Sequence, residues 1–155
     1  MSTVRYIDKS RDYYAAQGYD KPYRWANYDA VPFAPRDKPL GASTLALVTT
    51  AMPDATYTSR TRRLAICETA KAPKSLYTQE VSWDKEATHT DDLGSYFPLA
   101  DLEALAQEGR LGRIAPHYYC VPTTYSQRKT LEEDAPPIVA QCLRDEVDVA
   151  LLVPL

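Results

Sequence analysis

Phenylalanine is nearly missing from this chain of 155 residues: there are 2, against 12 tyrosines. Glycine is sparse too, at 5 against 12 prolines. Tyrosine suits half-buried surfaces where a polar tip stays wet. Many prolines imply long, ordered, non-repetitive connections. No apolar run approaches the roughly 18 residues that a membrane span requires. The opening stretch Met1 to Tyr6 has no signal-peptide apolar core, so a cytoplasmic location is expected. Positive charge is not in excess: 18 Lys and Arg face 21 Asp and Glu, a net −3. That gives no electrostatic case for nucleic acid or an acidic membrane as partner. Three cysteines, Cys67, Cys120 and Cys142, are an odd count without CxxC spacing, which argues against a disulfide framework.

The length suits one domain with a real core. Apolar residues at 45% and charged residues at 25% are ordinary for a globular chain. The closing run, Val147 to Leu155, is β-branched and apolar with no turn signal. It predicts a strand buried on both faces, in the middle of a parallel sheet. Ser43 to Thr50 reads the same way around Leu45, Ala46, Leu47 and Val48. Leu64 to Cys67 predicts a short strand, and Ser75 to Trp83 an edge strand. The expected fold is α/β: a mostly parallel sheet flanked by helices, Rossmann-like and three-layered. It is also expected to be an incomplete half of a larger fold. Residues 41–155 form that domain and end on its central strand.

Residues 1–40 read as a Tyr- and Pro-rich arm. Tyr6, Ile7, Tyr13, Tyr14 and Ala16 line one side of a helix over 4–17, with Gly18 as its stop. Trp25, Tyr28, Val31 and Phe33 are expected to pin the arm to the body. Either it covers a sheet face or edge, or it meets a partner or closes over substrate.

Pro98 to Gly109 is the clearest helix, with Leu99, Leu102, Leu105 and Ala106 at helical spacing and Gly109 as its stop. Pro116 to Cys120 follows, at a sheet end. Thr130-Leu131-Glu132-Glu133 fits a capping box. Leu131, Ala135, Ile138, Val139, Cys142 and Leu143 continue its apolar face, which Pro136-Pro137 must kink or restart.

In parallel sheets chemistry gathers beyond the carboxyl ends of the strands. Thr49 and Thr50 close the first strand there, as polar-ligand contacts or merely as β-formers. Thr88-His89-Thr90-Asp91-Asp92 is the densest polar cluster. His89 and Asp91, two apart, share a side of an extended segment. They are candidates for proton transfer, substrate hydrogen bonding or metal ligation, or they form a structural loop. His117 is the only other histidine. Arg60, Arg62 and Arg63 read as a solvated face, and Cys120 as a buried, inert thiol more than a nucleophile.

Several segments occur in a familiar order. They are Tyr23-Arg24-Trp25-Ala26, Val31-Pro32-Phe33, Ala46 to Ala51, Thr88 to Asp91, Phe97 to Leu102, Gly109-Arg110-Leu111-Gly112 and Leu151-Leu152-Val153-Pro154. The set resembles the amino-terminal part of the glycine/sarcosine/betaine reductase component B (selenoprotein B) and D-proline reductase family. The resemblance spans nearly the whole chain. It implies a component of a thiol- or selenol-dependent reductase acting on an amino acid or betaine. The reactive selenocysteine or cysteine would come beyond Leu155, and a dithiol would supply electrons. Thr49, Thr50 and His117 would bind substrate, and His89 and Asp91 would act in catalysis, with no metal.

The chain departs from the family where that reactive residue is due. A UGA codon read as stop, a second subunit, or loss of the chemistry each accounts for this. This chain alone is then expected to be inactive and to associate with a second subunit or a second copy. A central strand left uncovered costs roughly 25 cal/mol per Å² of apolar area. Two other functions compete: a non-catalytic α/β subunit or binding module, and a metal-dependent hydrolase using His89, Asp91, Asp92 and His117.

Overall fold

The computed structural model describes residues 5–19, 21, 26–31, 34–57, 61, 63–81, 85–124 and 126–155. Tyr23, Arg24, Trp25, Phe33, Arg60, Arg62 and Trp83, all used in the sequence reading, lie outside the described residues. The chain divides into two compact units, Met1–Ala34 and Pro35–Leu155.

The first unit holds helix α1, Tyr6–Ala16. Asp8 sits in its first turn, where the helix dipole favours a carboxylate. It pairs with Arg5 at 3.4 Å and Arg11 at 3.3 Å. Gly18 takes φ +87° and ends the helix, as its spacing predicted. Tyr14 meets Tyr13 and Tyr19 edge-on, at centroid distances of 5.6 and 5.9 Å. Tyr28 and Val31, expected to be anchors, lie exposed.

The second unit is an α/β fold around a mixed sheet of five strands. These are β1 (Thr44–Thr49), β2 (Ala65–Glu68), β3 (Arg113–Ile114), β4 (His117–Cys120) and β5 (Val149–Val153). β1 is parallel to β3, β4 and β5, while β2 runs antiparallel to β4. β3 and β4 flank the same side of β1, the first opposite Thr44 and Leu45, the second opposite Val48 and Thr49. Pro116, which has no N–H to give the ladder, separates them. The sheet therefore runs β2, β4, β1, β5. β4 is an interior strand, not one at a sheet end.

The central strand is β1, and the expectation for it holds. Leu45 and Leu47 enter one core, with Phe97, Leu102, Leu111 and Tyr118. Ala46 enters a second core, with Ala115 and Tyr119, where Val48, Ile138 and Cys142 also pack. Helix α2 (Leu99–Gln107) covers the first face through Leu99, Leu102, Leu105 and Ala106. Helix α4 (Ala135–Arg144) covers the second.

The expectation for the last strand does not hold. Among the described residues β5 pairs only with β1, and its residues alternate half-buried and exposed. Val149, Leu151 and Val153 pack on the first core, whereas Leu152 is 67% exposed. A short apolar run carries no information on how many neighbours it has. The predicted edge strand over 75–83 is reduced to a single bridge, Tyr77 opposite Met52.

Two glycines make the α2–β3 turn. Gly109 adopts φ +74°. At Gly112 a Cβ would stand 2.6 Å from Ser43 O and 2.7 Å from Ser43 N, so only glycine lets these backbones touch. The last helical region starts earlier than the capping box at Thr130 predicts. Ser126 is the cap, accepting from Lys129 N–H at 3.3 Å before the short helix α3, Gln127–Lys129. A π-helical stretch over Thr130–Asp134 then precedes Pro136 and Pro137 in the first turn of α4. The wider turn is where the proline pair resets the hydrogen bonding.

Candidate functional site at the carboxyl ends of the strands

β1 leaves the sheet toward the first face, since Ala51 and Met52 belong to that core. The chain after β4 leads on to α4, which covers the second face. Adjacent parallel strands whose connections part to opposite faces open a crevice at their carboxyl ends. Thr49, Thr50, Cys120 and Val121 stand at that point, with Val121 N–H donating to Thr49 O at 2.8 Å.

Thr49 is 1% exposed, and its hydroxyl accepts from Ala51 N–H at 3.3 Å. Thr50 is half-buried and tied to the other flank. Leu155 N–H donates to its Oγ1 at 2.9 Å, and the hydroxyl donates to Leu155 O at 3.4 Å. The exits of β1 and β5 are thus clasped together. Both predicted threonines sit at the carboxyl ends, and both hydroxyls already have partners.

His89 and Asp91 lie on a loop secured through the residue between them. Thr90 Oγ1 bonds Thr78 Oγ1 at 2.9 Å, and the Tyr96 hydroxyl donates to Thr90 O at 3.2 Å. Tyr77, next to Thr78, is bridged to Met52 just beyond β1. His89 and Asp91 side chains are 72% and 90% exposed, with Nδ1 to Oδ2 at 3.5 Å. The same Nδ1 lies 3.4 Å from Asp91 N–H. It accepts there when unprotonated and donates to the carboxylate when protonated, so the contact changes with the proton.

His117 stands apart from these groups. It opens β4, while Thr49 lies opposite Cys120 at the far end of that strand. Its Nδ1 meets Asp145 Oδ2 at 2.8 Å, and Gln141 Nε2 donates to Asp145 Oδ1 at 2.9 Å. The Asp145 side chain is only 9% exposed. His117 therefore joins β4 to the end of α4. Among the described residues no three His, Cys, Asp or Glu side chains gather into a metal-binding group.

A hollow of about 710 Å³ lies at the opposite end of the sheet, near Lys38, Thr44, Arg113, Glu146 and Asp148. Its charges are matched in pairs. Lys38 meets Asp148 at 2.8 Å, and Arg113 meets Glu146 at 3.3 Å. Asp148 also accepts from Thr44 N–H at 2.8 Å. The hydrogen bonds of Lys38 and Thr44 hold its carboxyl below the usual carboxylate range. These groups fasten the strand starts, which leaves the carboxyl ends of β1 and β4 as the candidate site.

One cluster was invisible in the sequence. Cys67 faces Tyr118 across the β2–β4 ladder, and Cys120 lies one same-face position further along. Cys120 is 0% and Tyr118 2% exposed, while Cys67 is half-exposed. The hydrogen bond from Cys120 brings the Cys67 thiol down to about 6, opposed by burial and assisted by the Tyr118 hydroxyl. Cys120 is pushed far up by that bond to Cys67 and by burial. Nothing in the spacing of these residues signals their meeting; strand register alone produces it.

No helix among the described residues is long and apolar enough to cross a membrane. Comparison with known proteins finds no matching family model, no matching curated protein and no matching solved structure.

Proposed function

We propose that this chain is a component of a thiol- or selenol-dependent reductase whose substrate, an amino acid or betaine, binds at the carboxyl-end crevice. The observation that carries this reading is the clasp between Thr50 and Leu155. It brings the exit of β5 beside the exit of β1. The sequence resemblance to the glycine/sarcosine/betaine and D-proline reductases puts the reactive selenol or thiol after a strand of the Leu-Leu-Val-Pro type. A nucleophile there would face substrate held near Thr50 and Val121. A dithiol would then reduce the oxidised nucleophile. His89 and Asp91, on the loop linked to Met52 through Tyr77 and Thr78, are assigned to proton transfer.

On this reading the sheet is half of a Rossmann-like three-layer fold, continued along the open side of β5. The test is binding of glycine, sarcosine, betaine and D-proline to the purified protein, followed by backbone NMR. One of the four is expected to shift Thr49 to Ala51, Val121 to Thr124 and Leu155. No binding by any of them, or shifts centred on Lys38 and Arg113, would overturn the assignment.

A second reading, a non-catalytic binding subunit, is favoured by one feature. Leu131, Val139, Leu143 and Leu152 are 60%, 56%, 75% and 67% exposed. Val139 and Leu143 stand one turn apart on α4, and contiguous exposed apolar area marks association sites. A partner bound with no substrate affinity in the complex would select this reading.

A further inference from the structure

We propose that two copies of this chain pair through β5, edge to edge and antiparallel, about a two-fold axis at Leu151. This goes beyond the reductase reading, which its own ligand-binding test decides separately.

The edge is bare. Among the described residues β5 pairs only with β1. Val149 to Val153 contains neither a charge nor a proline, the devices that keep sheet edges from pairing. The ladder fixes which backbone groups are free. The Asp148 N–H donates to Thr44 O at 3.0 Å, toward β1. Backbone groups alternate sides along a strand, so Ala150 and Leu152 also turn theirs to β1. Val149, Leu151 and Val153 turn their N–H and C=O groups to the open side. Another strand completes such a row.

The sequence of β5 selects a second copy of itself as that strand. With the axis at Leu151, Leu151 faces its counterpart and Val149 faces Val153. Every outward-turned group of one copy then meets one of the other, and each such pair exchanges both hydrogen bonds. Moving the axis to Ala150 or Leu152 leaves Val153 or Val149 without a counterpart in β5. Between these pairs Ala150 stands opposite Leu152. Non-hydrogen-bonded pairs bring side chains closest, and here a small one receives a large one. Asp148 faces Pro154 of the second copy, so no like charges are opposed. The same edge serves both copies, so the contact closes at two and builds no fibre.

Helix α4 fits the same axis. Its Ile138 and Cys142 pack against the sheet. Gln141, one position before Cys142, reaches His117 of β4 at 3.2 Å. Val139 and Leu143, each one position after, turn about 100° the other way. β4 and β5 lie on opposite sides of β1, so these two turn to the β5 side. Leu152 shares their face of the sheet, because Val149, Leu151 and Val153 point into the opposite core. All three are exposed. The axis brings this apolar strip against its copy, and covering it drives association.

The test is sedimentation equilibrium of the purified full chain at concentrations up to roughly 100 μM. A dimer is expected. Leu152→Lys should weaken it at least roughly tenfold. Its far-UV circular dichroism should not change, because the side chain is 67% exposed. The register is read by mixing the single variants Ala150→Cys and Leu152→Cys under mild oxidation. Peptide mapping should find a covalent dimer joined through those two positions. Opposed Cα atoms in such a pair stand about 4.5 Å apart, and a disulfide accepts about 4.4–6.8 Å. Either variant alone should not cross-link there, since its introduced thiols are diagonal neighbours at about 7–8 Å. A chain that stays monomeric throughout leaves the edge to a strand of another sequence and overturns the proposal. So does a dimer indifferent to Leu152→Lys, or a mixture that cross-links no better than either variant alone.

Discussion

Thr50 and Leu155 hold each other from both sides: the Leu155 N–H donates to Thr50 Oγ1 at 2.9 Å, and the hydroxyl donates to Leu155 O at 3.4 Å. Two strand exits 105 positions apart are joined by one side chain. Thr50→Val keeps the shape and removes the hydroxyl. It should lower stability by about 1 kcal/mol, read as a lower urea midpoint at constant slope. Thr50→Ser should restore most of it. An unchanged midpoint in Thr50→Val would mean that the clasp contributes nothing.

His89→Ala separates chemistry from folding. The side chain is 72% exposed, so urea stability should stay within about 0.5 kcal/mol. On the proposed reductase reading, turnover should vanish in a complex reconstituted with a subunit that carries a reactive thiol or selenol. Full turnover in that complex removes His89 from the reaction.

Asp145→Ala should behave in the opposite way. Its carboxylate accepts from Gln141 and meets His117, with only 9% of the side chain exposed. Its loss removes both contacts from a nearly buried site and should cost about 1–3 kcal/mol. Substrate affinity should not change, because His117 opens β4 and the crevice lies at its other end. A weakened affinity at unchanged stability would place His117 in the binding site after all.

Asp148 makes part of the stability acid-sensitive. Lys38 and the Thr44 N–H lower its carboxyl in the folded state. A lowered value means that the folded protein holds the proton less tightly than the unfolded chain does. The contribution is therefore complete above the unfolded carboxyl value of about 3.9. It fades as pH falls below that value and through the folded one. The melting temperature of Asp148→Asn should lie below that of the parent at pH 7, and the gap should close toward pH 2. A gap that is constant with pH would assign the loss to something other than this ionisation.

Gly112→Ala tests the close approach to Ser43. The added Cβ would meet backbone atoms at 2.6 and 2.7 Å, which cannot swing aside as a side-chain tip can. A loss of about 3 kcal/mol is expected, whereas at Gly18, which has a positive φ but open space around it, alanine should cost less. Unchanged stability in Gly112→Ala would show that the approach to Ser43 leaves room for a Cβ.

Much of the secondary structure follows from local pattern. The leucine spacing and Gly109 mark α2, Gly18 ends α1, and the apolar run at Leu45 to Val48 forms a strand buried on both faces. Thr49 and Thr50 fall at the carboxyl end because they close that strand. Ser126 was missed as a cap because Thr130 and Glu133 offer a competing pattern one turn later.

What the chain determines by itself is which segments form helices and strands, since periodicity, caps and turn residues act within a few positions. Only tertiary structure decided which strand is central and which is marginal. A buried run such as Val149 to Val153 has the same composition with one neighbour as with two. It also decided that His117 meets Asp145 at the end of α4, and that Cys67 shares a sheet face with Tyr118 and Cys120. These depend on lateral order and register between distant segments, where moving a strand by one residue exchanges its two faces.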